Sequence, residues 1–202
     1  MRSKLGVPVH MMFSVAAAVL SAATLLGASQ ESSSTPPAPV REHFTALAVP
    51  SGAGGTPIVI DLYIERWSTA AENDRFMAAV TEVGTKGVVE ALRKLPQVGS
   101  FAVLGNAGYP ITYAWRVVRQ DGTEDITLAT ERYVSFWESA GQTRSLDYPV
   151  TLIQLKLKPG GNNGEGQIDV AAKIDMDKPS KTIIIEHMGI QPVMLTTVKR
   201  VR

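Results

Sequence analysis

The chain has no cysteine among its 202 residues. This absence excludes disulfide bonds, cysteine zinc ligands, a cysteine nucleophile and lipid attachment through an N-terminal cysteine. Histidine is also scarce, with three in the whole chain, and only His43 and His187 lie beyond residue 29. A structural zinc site needs about four Cys or His ligands. The sequence therefore predicts no metal site.

Two further features are missing. Gly52, Gly54 and Gly55 precede a predicted strand, whereas a nucleotide loop needs its glycines before a helix N-terminus, so no cofactor is predicted. An excess of basic charge is absent as well. Without the two basic residues of segment 1–29, the chain has 18 basic and 19 acidic residues. A nearly neutral chain lacks the basic surface that binding to nucleic acid requires.

The N-terminus is the most informative segment that is present. Arg2 and Lys4 precede an almost wholly apolar stretch at residues 11–26, and small residues follow at 27–29. This pattern predicts a secretory signal peptide over residues 1–29, and hence an exported protein, periplasmic or secreted. The apolar stretch is shorter than the ~20 residues of a spanning helix. Retention as an anchor remains an alternative, but no membrane span is expected after cleavage.

The rest of the chain divides into two parts. Residues 30–41 are rich in serine and proline and lack apolar periodicity, which predicts a disordered spacer. Residues 42–202 have the length and composition of a single globular domain. Alternating apolar residues predict about eight strands, at 44–49, 58–66, 113–119, 124–130, 150–158, 167–175, 182–188 and 193–201.

A helical hairpin is predicted between the second and third of these strands. Thr69 and Glu72 have the spacing of a capping box, and Phe76, Val80 and Val83 follow at helical intervals. Gly84 ends this helix, and a second is predicted over residues 85–95. The predicted fold is therefore α+β and mainly β, an antiparallel sheet or sandwich of about eight strands with an inserted helical hairpin.

Two finer predictions concern strand pairing. Asp121 and Gly122 predict a two-residue type I′ turn, and its register places Arg119 opposite Glu124, Val117 opposite Ile126 and Trp115 opposite Leu128. The short connections after residue 150 predict an antiparallel meander of the last four strands. In that meander four residues face the core, namely Ile168, Val170, Ala172 and Ile174, and three face water, namely Asp169, Lys173 and Asp175.

The candidate site residues fall into two blocks of aromatic and charged side chains. The first block is Glu65, Arg66 and Trp67, at the end of a strand. The second contains Trp137, Glu138, Arg144, Asp147 and Tyr148. Aromatic rings beside carboxylates and arginines are typical of sugar and polar-headgroup sites. A structural interpretation, with the tryptophans in the core and the charges ordering a loop, is the stronger alternative.

Sequence around the same blocks resembles an uncharacterised family of exported bacterial proteins. The resemblance covers Tyr63–Ser68, Ser135–Glu138 and Arg144–Pro149. That family has no assigned activity, so the resemblance implies export and a single domain. It transfers no catalytic residue.

Three functional hypotheses follow from these patterns. The leading hypothesis is a non-enzymatic exported domain that binds a small polar ligand or a protein partner. The second is a hydrolase that uses two of four carboxylates, Asp61, Glu65, Glu138 and Asp147, in the manner of a glycosidase. The third is a structural or scaffold protein whose sheet edge pairs with another chain.

Overall fold

The computed structural model describes residues 41–49, 56–103, 108–131, 149–177, 182–187 and 192–201. Ten strands and two helices lie within these residues. The strands are β1 (Glu42–Val49), β2 (Ile58–Ile64), β3 (Gly99–Val103), β4 (Tyr109–Ile111), β5 (Tyr113–Val118), β6 (Glu124–Thr130), β7 (Val150–Leu157), β8 (Asn163–Asp177), β9 (Thr182–His187) and β10 (Val193–Arg200). The helices are α1 (Ala70–Ala78) and α2 (Thr85–Lys94), joined by a π-helical turn (Ala79–Val83).

All ten strands belong to one antiparallel sheet with the order β4-β3-β2-β1-β10-β8-β7-β6-β5, and β9 pairs with the second half of β8. The strands at the two ends of this order, β4 and β5, follow each other in the chain, and only Thr112 separates them. The Thr112 N–H donates to the Ala129 carbonyl oxygen at 3.2 Å, and the Val98 N–H donates to the Ile111 carbonyl oxygen at 2.8 Å. The sheet therefore curls until it nearly closes on itself. This observation confirms the predicted mainly β, α+β class.

The curled sheet has an inner apolar core, built from alternate residues of its strands. Phe44, Leu62, Phe101 and Leu128 are among its fully buried side chains. A closed sheet of about eight strands encloses a volume that side chains can fill. The inside of the sheet is thus packed along most of its length.

A second core lies outside the sheet, where the helices cover β5 to β8. Phe76 and Val80 of the first helical segment and Val88 and Leu92 of α2 pack there against the sheet. Tyr113 of β5 stacks on Phe76 at 4.1 Å between ring centroids. Its hydroxyl donates to Asn73 Oδ1 at 2.7 Å, and burial raises the pKa of this tyrosine.

The predicted capping box is confirmed. The Glu72 N–H donates to Thr69 Oγ1 at 3.2 Å, and the Thr69 N–H donates to Glu72 Oε2 at 2.7 Å. Gly84 separates the two helices with a φ of 76°. Val83 is 64% exposed rather than packed on the core, because the π-helical turn changes the angle between successive side chains.

Three strand predictions are wrong. The strands β3 and β4 were not predicted, since residues 99–103 and 109–111 are too short for a clear alternation. The final strand β10 pairs with β8 and β1 rather than with β9, so the last four strands are not a simple meander. Asp169 is only 2% exposed instead of facing water. The predicted core positions Ile168, Ala172 and Ile174 are buried, and Val170 packs against the inner core.

The β5–β6 hairpin forms, but its predicted register is wrong by one residue. Val118 lies opposite Glu124, and Trp115 lies opposite Thr127. The Gly122 N–H donates to the Arg119 carbonyl oxygen at 3.0 Å, and Gly122 has a φ of 80°. These contacts define a three-residue loop in which a turn is followed by a left-handed glycine. Gly122 therefore does adopt positive φ, but as the residue after the turn and not at its centre.

Candidate polar site at one end of the sheet

Four charged side chains cover the inner core at one end of the curled sheet. Each stands two residues beyond an inner core residue on its own strand, so it shares the inner face. They are Glu42 before Phe44 on β1, Arg116 after Ala114 on β5, Glu124 before Ile126 on β6 and Arg200 after Val198 on β10. These four residues are called the ion ring below.

Carboxylates and guanidinium groups alternate around the ion ring. Glu42 Oε1 lies 3.2 Å from Arg116 Nη1, and Glu42 Oε2 lies 3.2 Å from Arg200 Nε. Glu124 Oε2 lies 2.7 Å from Arg200 Nη2 and 3.8 Å from Arg116 Nη1. Arg200 Nη1 also donates to Glu124 Oε1 at 3.2 Å, which makes this pair bidentate. Each charged group in the ring thus contacts two groups of the opposite charge.

Aromatic rings support two sides of the ion ring. The Trp67 Nε1–H donates to Glu42 Oε1 at 3.2 Å, and the Arg116 Cζ lies 4.9 Å from the Trp67 ring centroid. The Arg200 Cζ lies 5.1 Å from the Phe44 ring centroid. A guanidinium over an aromatic face is held by the electron density of that face as well as by its carboxylate partners.

The β7–β8 turn packs against the ring through Gly161. A Cβ added to Gly161 would overlap Arg200 Nη1 and Glu124 Oε1. Gly161 also has a φ of 67°, a conformation that favours glycine. The turn is therefore fitted to the Arg200–Glu124 pair.

The direct contact between Arg200 and Glu124 favours the ionised form of both groups. The hydrogen bond from Arg200 lowers the pKa of Glu124, against the opposing effect of burial. The same hydrogen bond raises the pKa of Arg200. A general acid in a glycosidase needs the opposite shift, a carboxyl pKa raised toward neutrality. Glu124 is therefore poorly suited to acid catalysis.

Of the first predicted block, only Trp67 reaches this site. Arg66 instead forms a bidentate pair with Glu72, with both nitrogen–oxygen distances 2.9 Å. That hydrogen bond lowers the pKa of Glu72, so Arg66 serves the capping box of α1. Glu65 is exposed, and its N–H donates to the Val98 carbonyl oxygen at 2.9 Å.

The second predicted block cannot be compared with these contacts. Its five residues, Trp137, Glu138, Arg144, Asp147 and Tyr148, lie outside the described residues. Whether the two blocks meet in space stays a prediction. The ring members were missed as a set because they are spread over 159 positions from Glu42 to Arg200. The one local signal was a charge at the inward position of an otherwise apolar strand face.

Of the four carboxylates in the hydrolase hypothesis, Asp61 and Glu65 lie within the described residues. Glu65 is exposed just beyond the end of β2. Asp61 lies within β2, and its Oδ1 is 2.8 Å from His43 Nε2. Asp61 therefore supports a pair on the outer face of the sheet.

The His43–Asp61 pair is not part of a serine triad within the described chain. His43 stacks on Tyr63 at 4.4 Å between centroids. Ser100 lies on β3, on the far side of β2 from His43. Neighbouring strands are about 4.8 Å apart, so Ser100 is out of hydrogen-bond range. Within the described residues, no group of three or more His, Cys, Asp or Glu side chains could hold a metal ion.

No protein-family model, curated protein or solved structure matches this chain. The resemblance to exported bacterial proteins therefore stays a prediction. No helix in the described part of the chain is long and apolar enough to cross a membrane.

Proposed function

We propose that this protein is an exported, non-enzymatic binding domain for a small polar ligand that carries a carboxylate. Arg116 and Trp67, at the end of the sheet that carries the ion ring, form the contact surface. The observation that carries the proposal is the exposure of Arg116. Its side chain is 36% exposed, against 12–18% for the other three ring members. A ligand arriving at this end meets Arg116 first.

The geometry of Arg116 suits a carboxylate. Its hydrogen bond to Glu42 and its closest approach to Glu124 both use Nη1, so Nε and Nη2 donate no hydrogen bond to a described residue. Two parallel N–H groups on one edge of a guanidinium match the two oxygens of a carboxylate. The Trp67 ring below Arg116 holds the guanidinium plane in place. Because contact with Trp67 already restrains the Arg116 guanidinium, its side chain loses less entropy when a ligand binds.

A binding screen tests this proposal. Sugar acids, free amino acids and the corresponding neutral sugars are compared by thermal shift, and the strongest is measured by calorimetry. We expect carboxylate-bearing compounds to bind and neutral sugars not to bind. Arg116→Gln and Trp67→Phe should weaken binding by about ten-fold or more, since a hydrogen bond to a charged group contributes about 1.5–3 kcal/mol.

Arg119→Gln is the matched control for this screen. Arg119 lies at the tip of the same hairpin and pairs with Asp125 outside the ring. It should retain full binding. Equal binding by Arg116→Gln and the wild type would contradict the proposal.

A scaffold function is the second candidate, and the closed pattern of the ion ring favours it. Each charge is compensated within the ring, as expected for a group that joins four strands. If no compound binds while Arg116→Gln lowers the unfolding midpoint strongly, the scaffold function replaces the binding function. A catalytic function has no comparable support among the described residues.

Export is the remaining part of the proposal, and it rests on the pattern of residues 1–29. Mass spectrometry of the protein from the cell envelope and the medium should give an N-terminus near Gln30. An intact Met1 on protein confined to the cytoplasmic fraction would contradict export.

A further inference from the structure

The strand β9 leaves one edge of the sheet open. Within the described residues, β8 is the only strand that pairs with β9. Elsewhere the sheet curls until it nearly closes on itself, so this edge differs from the rest of the fold. An edge strand presents main-chain N–H and C=O groups that can pair with a strand of another chain. The edge of β9 is therefore a candidate interaction surface.

Thr85 of α2 shows which main-chain groups of β9 face the open edge. Its hydroxyl donates to the Ile174 carbonyl oxygen at 2.9 Å and accepts from the Ile174 N–H at 3.0 Å. Ile174 of β8 thus uses both main-chain groups on the side away from β9, so its pair with Ile185 is a non-hydrogen-bonded one. The two kinds of pair alternate along a ladder. Ile184 therefore bonds to β8, whereas the N–H and C=O groups of Ile183 and Ile185 point outward.

The outward edge of β9 is apolar and uncharged over three consecutive isoleucines, Ile183–Ile185. Ile183 and Ile185 pack against the second core, outside the sheet, and Ile184 lies on the opposite face of the strand. Glu186 ends the run and lies 3.5 Å from Lys173 of β8. Edge strands are commonly protected from pairing by charges, prolines or bulges, and Ile183–Ile185 has none of these.

We propose that β9 pairs antiparallel with β9 of a second copy of this chain, across a two-fold axis at Ile184. In this register Ile183 of each copy lies opposite Ile185 of the other, so their outward main-chain groups form hydrogen-bonded pairs. Ile184 lies opposite Ile184, and such β-branched pairs stabilise neighbouring strands. An axis at Ile185 would instead place Ile184 opposite the charged Glu186.

Two further observations favour a second copy as the partner. Residues 30–202 carry 18 basic and 19 acidic residues, so two copies have almost no net charge with which to repel each other. A two-fold dimer is also the commonest arrangement of identical chains. The proposed contact contains no residue of the ion ring, so it goes beyond the function proposed above.

Sedimentation equilibrium of the purified protein tests the pairing. We expect a monomer–dimer equilibrium with a dissociation constant below roughly 100 μM. Ile184→Lys would place two ammonium groups opposite each other, and it should raise that constant by about ten-fold or more. Within one copy the new lysine lies opposite Asp175, so the fold should be retained, which circular dichroism checks. Val59→Lys is the matched control at a 40% exposed position of β2, and it should dimerise like the wild type.

A charge-reversal pair tests the register directly. Ile184→Glu alone should be monomeric, and an equimolar mixture with Ile184→Lys should recover the dimer, because opposite charges then face each other. A mixture that stays monomeric would overturn the proposed pairing, as would equal association of Ile184→Lys and Val59→Lys. A wild type that stays monomeric at every concentration would overturn it in favour of a strand from a different protein.

Amide hydrogen exchange of the wild type provides a second measurement that needs no variant. Between dilute and concentrated protein, exchange at Ile183 and Ile185 should slow by about ten-fold or more, because their N–H groups enter the intermolecular pairs. Exchange at Ile184 should stay the same, since its N–H already donates to β8. An equal change at all three positions would contradict the pairing. None of these results affects the test of Arg116, because the two surfaces share no residue.

Discussion

Removing Arg200 should destabilise the fold far more than removing an arginine from the surface. Arg200→Met deletes the bidentate contact with Glu124, the contact with Glu42 and the stacking on Phe44. Glu42 and Glu124 would then remain close together, and within the described residues Arg116 would be their only shared cation.

The expected loss follows from burial. Breaking a fully buried ion pair costs about 3–5 kcal/mol, and an exposed pair contributes about 0–1 kcal/mol. The Arg200 and Glu124 side chains are 18% and 13% exposed, which is close to the buried limit. Arg116 still compensates part of the charge. We therefore expect Arg200→Met to lower the free energy of unfolding by about 2–3 kcal/mol, a substantial part of the 5–15 kcal/mol typical of a domain.

A double-mutant cycle in urea separates the pair from the loss of packing. Arg200→Met, Glu124→Gln and the double variant are unfolded and followed by circular dichroism. The double variant should lose about 1–3 kcal/mol less than the sum of the single variants, because the two residues interact directly. Arg119→Met is the control. Its side chain is 54% exposed, so it should lose less than about 1 kcal/mol.

A loss for Arg200→Met no greater than that for Arg119→Met would contradict this expectation. A coupling energy between Arg200 and Glu124 close to zero would contradict it as well. Either outcome would mean that water screens the ring and that the inner core alone holds this end of the sheet.

Three further predictions concern single positions. The hydrogen bond from Arg200 lowers the pKa of Glu124 below its ordinary value of 4.5. The ionised carboxylate therefore stabilises the fold fully above pH 4.5, and this stabilisation is lost as the pH falls through the lowered pKa. Urea unfolding between neutral pH and pH 3 should therefore show a smaller acid-induced loss for Glu124→Gln than for the wild type, and parallel curves would contradict the assignment. Gly122→Val should lower the free energy of unfolding by about 1–2 kcal/mol because of positive φ, whereas Gly122→Asn should cost less; equal costs would show that conformation is not the cause. Thr197 has a φ of 54° and lies in a β-bulge of β10, between the paired residues Leu195 and Val198. Thr197→Asn should raise the free energy of unfolding by about 0.5–1 kcal/mol, since asparagine tolerates left-handed φ better than a β-branched residue; a fall in the thermal midpoint would argue against strain at this bulge.

Local patterns were sufficient for much of the secondary structure. The alternation in β2 correctly placed Ile60, Leu62 and Ile64 on the core face. The capping box of Thr69 and Glu72 was correct to the residue. Both features depend on neighbours within a few positions, and such interactions are encoded in the order of residues along the chain.

Pairing between strands was less predictable. The type I′ turn and the three-residue loop differ by one residue, and that difference moves every cross-strand pair of the β5–β6 hairpin. The pairing of β10 with β1 depends on contacts more than a hundred residues apart along the chain, and its pairing with β8 passes over β9. No periodicity within β10 indicates its partners.

The candidate site shows the same division. The sequence singled out Trp67 beside Arg66 as one block, but it could not separate their roles. Arg66 contacts Glu72 six residues away and stabilises a helix end, whereas Trp67 contacts Glu42 and Arg116 on distant strands. Arg66 and Trp67 are adjacent in the chain, but in the fold their side chains contact different partners.

By itself the sequence determined both helices, most of the strands and the start of α1, because these depend on side-chain spacing and on hydrogen bonds within one turn. Only the tertiary structure decided the strand order, the hairpin register and the ion ring. Four charges that are harmless in separate strands become one compensated network when the sheet curls and brings the four strand ends together. That juxtaposition depends on non-local strand pairing, which no local pattern of residues specifies.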